Sequence, residues 1–403
     1  MTSNKKYGTY SLRTLLARDP VLATFGDDLA LDPLELDRTI IEFGETRLIN
    51  AFNAALTVHN AAVNELVNPL VAFTNKRIEP YGENIGVSRV RGVRTDQYGA
   101  VDTMREQMPP MEAGNIGYPL ERVQFAWQVT RDYEETNSPR DIAKRMAAIQ
   151  LGDLDDIEWQ IRNAFFNPAS NLTYRDQLID NLLIPVRRLA NGDGQMLPLG
   201  PRGEVFNPGT HTHYMGVATG TVPTAADVQA LFQNVIEHGP QGKIEMWINE
   251  ADEPAIRAMA NFWGYDAQEV IIANYPPGTP RMRQGGPLIE TVDPLNPDNM
   301  YIGKWNAKYE VSTKPWVYPG YFIVIDLGRK ALRWRSRQNP SNAFGATGRS
   351  RLRIVAEDES FPLRATWMER EYGIGVGDRV AAAVLYGGGT SYVMPTISMP
   401  ALY

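Results

Sequence analysis

The chain has no cysteine, so disulfide bonds and thiolate metal sites are both excluded. It has only four histidines, and neither a Gly-x-Ser-x-Gly elbow nor a His-Glu-x-x-His helix occurs, so hydrolase and metalloprotease chemistry lack their usual carriers. No stretch approaches the ~20 apolar residues of a membrane span, and no membrane partner is expected. The first ten residues are polar and contain no apolar signal region, which together with the missing cysteines predicts an intracellular product. Asn171-Leu172-Thr173 matches a glycosylation acceptor, but without a secretion signal it reads as chance. An excess of positive charge is also missing: 40 basic against 47 acidic residues gives −7, which argues against a dedicated nucleic-acid binder.

What is present is length and an odd middle. At 403 residues the chain has room for two or three domains with real cores. Residues 76–130 are rich in glycine, proline and arginine, with apolar residues too sparse to build a core. Their far end alternates, with Val123, Phe125, Trp127 and Val129 on one side and Arg122, Gln124 and Gln128 on the other, the pattern of a half-buried strand. A weaker strand is predicted at 85–93. Together they suggest a two-stranded finger with arms on the order of 60 Å at roughly 3.3 Å per residue. An isolated ribbon is marginal in water, so a cover is required, and a second copy of the chain is the natural candidate.

Residues 1–36 have no clear period and read as an arm with one short helix at 11–17. From residue 37 to Pro69 the spacing of Leu48, Phe52, Leu56, Val63 and Val67 predicts a helix. Ser138-Pro139-Arg140-Asp141 is a helix start, and Ile142, Met146, Ile149, Ile157 and Ile161 continue one face to Asn167-Pro168. About 29 residues at 1.5 Å each give a rod of roughly 43 Å, long enough for a strut. A glycine- and proline-rich stretch runs over 191–220. An α/β region follows, with a helix capped by Thr224 and Asp227 and ended by Gly239-Pro240, a strand at 243–249, a helix at 252–262 and a short strand at 270–273. Further strands are expected at 300–304, 309–313, 321–326, 331–338, a long one at 352–370 interrupted by Pro362, and a last one at 381–386. Residues 390–403 read as an extended tail. No internal repeat is present.

Candidate chemistry is thin. His211 and His213 would share one face of a strand, which is the geometry of a metal pair, but no acid lies in the surrounding 208–224, and an exposed polar loop is the better reading. Gly373-Ile-Gly375-Val-Gly377 has the spacing of a dinucleotide loop without the following helix, and is discarded. Asp153, Asp155, Asp156 and Glu158 on the strut helix read as a solvated or subunit-facing surface. No catalytic residue, metal or cofactor is assigned. The eight basic residues Arg329, Lys330, Arg333, Arg335, Arg337, Arg349, Arg351 and Arg353 occur without an acid between them, leaving −7 − 8 = −15 on the remainder. Two readings compete. One is nonspecific phosphate contact. The other, favoured by the acidic remainder, is bidentate pairing with carboxylates of a neighbouring copy.

The order of elements resembles the major capsid protein of tailed bacteriophages, the Hong Kong 97 fold. The likeness rests on the extended loop, the long helix 139–167, the α/β region, the strand–turn–strand around Gly328, the loop 339–349, and Phe361-Pro-Leu-Arg-Ala-Thr-Trp-Met-Glu-Arg-Glu-Tyr372 leading to 381–385. The resemblance implies an α+β fold divided into an N-terminal arm (1–36), a helical segment (37–75), an extended loop (76–130) and a peripheral domain with its spine helix (131–220). An axial domain (221–328), peripheral long strands (329–371) and a return strand with C-terminal tail (372–403) complete it. It implies a non-enzymatic shell protein of the virion, assembled in the host cytoplasm into hexamers and pentamers around double-stranded DNA, with portal, scaffolding and cement or decoration proteins as further partners. Subunit-interface residues would be Arg89, Arg91, Arg94, Arg122, Phe125, Trp127, Arg333, Arg335, Arg337, Arg349, Arg351 and Arg353. Some members of the family weld subunits through a loop lysine. Here no lysine lies between Lys76 and Lys144, so no such crosslink is expected. The early helical pattern leaves no room for a long coiled-coil scaffolding extension. The rival readings are an encapsulin-like compartment shell, a portal or tail ring, and a soluble α/β enzyme with a dimerisation arm.

Overall fold

The computed structural model describes residues 13, 16, 17, 19–25, 36–81, 114–264, 301–338, 340–345, 348–360 and 362–398. Two long helices and three sheets carry the architecture. The first long helix, Glu45–Val67, follows a short capped turn, Ile40–Phe43, whose Thr39 and Glu42 form a reciprocal capping box. The second, Pro139–Phe166, starts at Ser138 with proline in its first turn, as its sequence predicts. The Ser138 hydroxyl, however, donates to the Asp141 carboxylate at 3.2 Å and caps no backbone N–H. Both helices bury one side against a single sheet.

That sheet is built on strand β15 (Leu363–Val376). Strand β14 (Arg353–Ser360) runs antiparallel beside it, β4 (Glu121–Thr130) pairs with residues 363–372, and β13 (Leu332–Arg335) pairs with 373–376, with β1 (Val71–Thr74) parallel to β13. The expected single strand over 352–370 is therefore a hairpin. Pro362 sits in its turn, where its missing N–H costs no ladder bond.

The register corrects the finger. The alternation read at 122–129 is real, but β4 pairs with β15 of its own chain, Phe125 opposite Met368 and Trp127 opposite Thr366. Phe125 reaches the long helix at Gly152, where the absence of a side chain leaves room for its ring, and the Trp127 ring meets Phe52 edge-on at 6.0 Å. Alternation reveals that one face is covered without revealing by what. Here the cover is the chain's own pair of helices. What remains of a loop is bounded by β2 (Ile78–Tyr81) and β3 (Gly114–Gly117), which pair antiparallel with Tyr81 opposite Gly114. Residues 82–113, including the strand expected at 85–93, lie outside the described residues. β2 and β3 join β6 (Leu183–Val186) and β5 (Asn171–Arg175) in a small four-stranded sheet.

The third sheet has seven strands, in order β7 (Tyr214–Gly216), β16 (Ala382–Tyr386), β12 (Tyr321–Asp326), β8 (Ile244–Ile248), β11 (Tyr309–Thr313), β10 (Tyr301–Trp305) and β9 (Phe262–Gly264). β12 is an interior strand, between β16 and β8, and is buried at every position, which is why it reads as a continuous apolar run without alternation. The helix Ala225–Ile236 covers this sheet with Val228, Leu231, Phe232 and Val235. Its predicted cap is present: the Thr224 side chain accepts from Asp227 N while the Asp227 carboxylate accepts from Thr224 N at 2.8 Å. The helix expected at 252–262 is only Glu253–Arg257 after one 3-10 turn, and the strand expected at 270–273 lies outside the described residues. Among the described residues no helix is long and apolar enough to cross a membrane. One core joins the first and third sheets, with Phe165, Phe166, Trp316, Ile323, Trp334 and Tyr372 in the same cluster, while Tyr81 and Ile116 of the small sheet belong to a separate one.

Candidate functional site

The arginine run is where charge concentrates, and the fold sorts it by depth. Arg335 on β13 is 2% exposed. Its guanidinium donates to Asp176 Oδ2 at 2.6 Å and to the Tyr118 carbonyl at 2.7 Å. Arg77 lies 3.3 Å from the same Asp176 oxygen and also forks onto Asp180 at 2.8 and 3.0 Å. Arg333, on the same face, approaches Glu79 at 3.8 Å and donates to the Lys330 carbonyl at 2.8 Å. These residues tie β13 to the base of the loop, so Arg335 has no side-chain surface to offer a neighbouring copy. The expectation that it pairs across a subunit border is corrected: its carboxylate comes from the same chain, brought near by the small four-stranded sheet.

The glycines 373, 375 and 377 serve the same junction. A β-carbon on Gly373 would sit 2.1 Å from the Pro119 carbonyl oxygen, and one on Gly375 would sit 3.2 Å from the Tyr118 ring. Gly373 and Gly375 thus make a track on which residues 118–120 lie against β15, while a β-carbon on Gly377 would meet the Arg333 side chain.

Further along β15 successive charges face opposite ways. On one face Glu369 and Glu371 meet four arginines: Arg353 to Glu369 at 2.9 Å, and Arg122, Arg337 and Arg349 to Glu371 at 3.2, 2.8 and 3.5 Å. Four cations less two carboxylates leaves +2 on this face, and the four arginine side chains remain about one-third exposed. Arg351, half-buried, donates to the Gly345 carbonyl at 3.3 Å. Arg89, Arg91 and Arg94 lie outside the described residues.

The opposite face holds a buried ionic cluster that the sequence reading missed. Arg370 forks onto Asp153 of the long helix at 2.7 and 2.6 Å, and also donates to the Ser350 carbonyl and to Asn60 Oδ1. His59 of the first long helix lies 2.7 Å from Asp153 Oδ2. Burial alone would push the Asp153 carboxyl up, but the Arg370 fork and the His59 hydrogen bond outweigh it and hold it below the usual range. His59 is lowered by burial, which prevails over the attraction of Asp153 because Arg370 already balances that carboxylate. Next to this cluster Asp156 accepts from Tyr372 Oη. Asp153 and Asp156 are therefore internal anchors and not the solvated or subunit-facing surface expected of them. A charged pair on strand 363–376 and an acid on the apolar side of a helix were the available signals.

His211 and His213 also depart from expectation. His213 is fully buried, and His238, from the far end of the capped helix, joins them.

No protein-family model matches the chain, and no curated protein matches it in sequence. Solved structures do match. A chain of Mycobacterium phage Patience superposes with a TM-score of 0.60 at 21% identity, over 90% of this chain and 93% of that one. The cyanophage A-1(L) capsid asymmetric unit follows at 0.43 and 12% identity, covering 81% and 92%, and the cyanophage Pam1 capsid asymmetric unit at 0.42 and 12%, covering 80% and 87%. With its long helix, hairpin-built sheet, paired loop base and seven-stranded α/β sheet in this order, the chain has the Hong Kong 97 capsid fold.

Proposed function

We propose that this chain is the major capsid protein of a tailed double-stranded DNA bacteriophage, forming hexamers and pentamers of an icosahedral shell. The observation that carries the reading is the end-to-end likeness to the Mycobacterium phage chain, which spans nine-tenths of both molecules. The role is mechanical and the product is a virion component assembled in the host cytoplasm. Portal, scaffolding and cement proteins are the partners such a shell calls for.

The loop base supports the same reading. Tyr81 and Gly114 are paired, so the two ends of the segment 82–113 are held side by side. In our reading this segment, with Arg89, Arg91 and Arg94, reaches a neighbouring subunit, and the arginines around it hold its base at a set angle. The +2 face formed by Arg122, Arg337, Arg349 and Arg353 would take carboxylates of a neighbour or, weakly and without sequence preference, DNA phosphates. Intertwined obligate interfaces commonly bury more than about 2,000 Å², and a segment of this length supplies area on that scale.

The test is to replace residues 82–113 by a two-residue Asn-Gly turn, which the Tyr81–Gly114 register accepts as a hairpin. The variant is expected to remain a folded monomer by circular dichroism and sedimentation, while the parent forms rings or closed particles in electron micrographs. A parent that stays monomeric alone and with its phage partners, or a variant that still closes shells, overturns the proposal. Nuclease-protected DNA inside purified particles separates a genome shell from a cargo compartment.

A further inference from the structure

His211, His213 and His238 aim their Nε2 atoms at one point. The three distances are 3.1 Å from His211 to His213, 2.9 Å from His211 to His238, and 3.1 Å from His213 to His238. The His213 tautomer is set by its other nitrogen, which lies 2.7 Å from the Ala382 carbonyl. A carbonyl only accepts, so the proton sits on Nδ1 and a bare lone pair faces the other two rings. A triangle cannot alternate donor and acceptor around its three edges. In every neutral arrangement at least one edge sets two lone pairs, or two N–H groups, against each other at hydrogen-bond distance. His238 Nδ1 is buried and finds no hydrogen-bond partner among the described residues.

We propose that these three histidines form a binding site for a divalent cation of the zinc class. A central cation resolves all three edges at once, because each nitrogen then directs a lone pair at it. Zinc–nitrogen bonds of 2.0–2.1 Å in a tetrahedron separate the ligands by about 3.3 Å, so the triangle need open by only a few tenths of an ångström. Glu237 Oε1, 3.6 Å from His211 Nε2 and 3.9 Å from His238 Nε2, is in reach as a fourth ligand. The Nδ1–H of His213 on a backbone carbonyl is the supporting contact that orients a metal-bound imidazole. The neighbouring guanidiniums are each paired, Arg329 with Asp378 at 2.7 Å and Arg379 with Asp193 at 2.9 Å, which limits their repulsion of a cation. With imidazole and carboxylate donors and no thiolate anywhere in the chain, zinc fits better than a soft monovalent copper ion.

The site would act as a staple. His211 and His213 end the long loop after β6, the His213 N–H donates to Ala190 and its carbonyl accepts from Val384, and His238 ends the helix Ala225–Ile236. A cation would pin that loop to the seven-stranded sheet without help from any second subunit, so this inference stands whether or not the chain builds a shell.

The experiment uses the full chain, stripped of metal with a chelator and titrated with Co²⁺ and then Zn²⁺. One Co²⁺ per chain is expected, with the visible absorption of a tetrahedral site that equimolar Zn²⁺ abolishes. His211→Ala, changed at the rim of the cluster, is expected to weaken Co²⁺ binding at least about 100-fold while keeping the near-ultraviolet circular dichroism of the parent. Zn²⁺ should raise the melting temperature of the parent and leave that of the variant unmoved. A folded parent chain that takes up neither metal at micromolar concentration overturns the proposal, and so does binding that His211→Ala leaves unchanged. The cluster would then be imidazoles packed edge-on and tilted against one another beside Phe206, whose ring centre lies 4.1 Å from that of His238.

Discussion

The Arg370 guanidinium grips the Asp153 carboxylate in a two-bonded fork, at 2.7 and 2.6 Å, with both side chains at or below 1% exposure. It joins the longest strand to the longest helix. Two charges removed from water in this way stabilise only while both are present. Asp153→Asn or Arg370→Met is expected to cost about 3–5 kcal/mol in urea unfolding, because each strands the other charge. Changing both to apolar residues should recover part of that loss. A single variant as stable as the parent would contradict the assignment.

Arg335 and Arg351 should separate folding from assembly. Arg335→Ala leaves Asp176 buried beside Arg77 alone, and is expected to destabilise the subunit by about 3 kcal/mol and lower its soluble yield. Arg351→Ala, nearer the surface, should change subunit stability by less than about 1 kcal/mol. Its particle yield, read by sedimentation, is expected to fall.

Gly373→Ala places a methyl group where the Pro119 carbonyl lies, 2.1 Å away. The base of the loop must lift from β15. A loss of about 1–3 kcal/mol is expected, together with faster proteolysis near residues 114–120 than in the parent.

His59 is buried neutral, its folded pKa lying below the ordinary 6.5. Below that value the unfolded chain binds a proton that the folded chain refuses. Its contribution is therefore intact above pH 6.5 and is lost as pH falls towards the folded pKa, with a slope of at most about 1.4 kcal/mol per pH unit. Asp153, lowered from 3.8, adds a second loss only below that pH. Urea midpoints between pH 7.5 and 5 should show the first slope, and His59→Gln should flatten it.

The missing lysine between Lys76 and Lys144 makes a covalent prediction. Mature particles boiled in detergent should run as single chains on denaturing electrophoresis. A ladder of oligomers would show that another lysine welds the subunits.

Much of the architecture was legible beforehand because it is local. The strut helix starts at Ser138-Pro139 and ends within a residue of its expected stop. The strands 309–313 and 321–326 match the elements found there, and the Thr224–Asp227 cap forms as read. Each of these depends on a pattern within a few turns or a few residues of chain. The alternation of Val123 to Val129 was equally clear, yet its partner was misassigned, since a half-buried face looks the same whichever apolar surface covers it. Burial of arginine was invisible for the same reason: a run of cations on two strands reads alike whether its carboxylates come from residue 176 or from another molecule.

Composition, periodicity and caps thus determined that the chain mixes helices with strands and has no thiol chemistry, with one long strut and a stretch too poor in apolar residues to make its own core. Only the tertiary structure decided which charges are internal. It brought Asp153 to Arg370 across 217 positions and Asp176 to Arg335 across 159. It also closed His238 onto His211 and His213. Pairings over such separations are set by how sheets stack on helices, and a linear pattern carries no record of that.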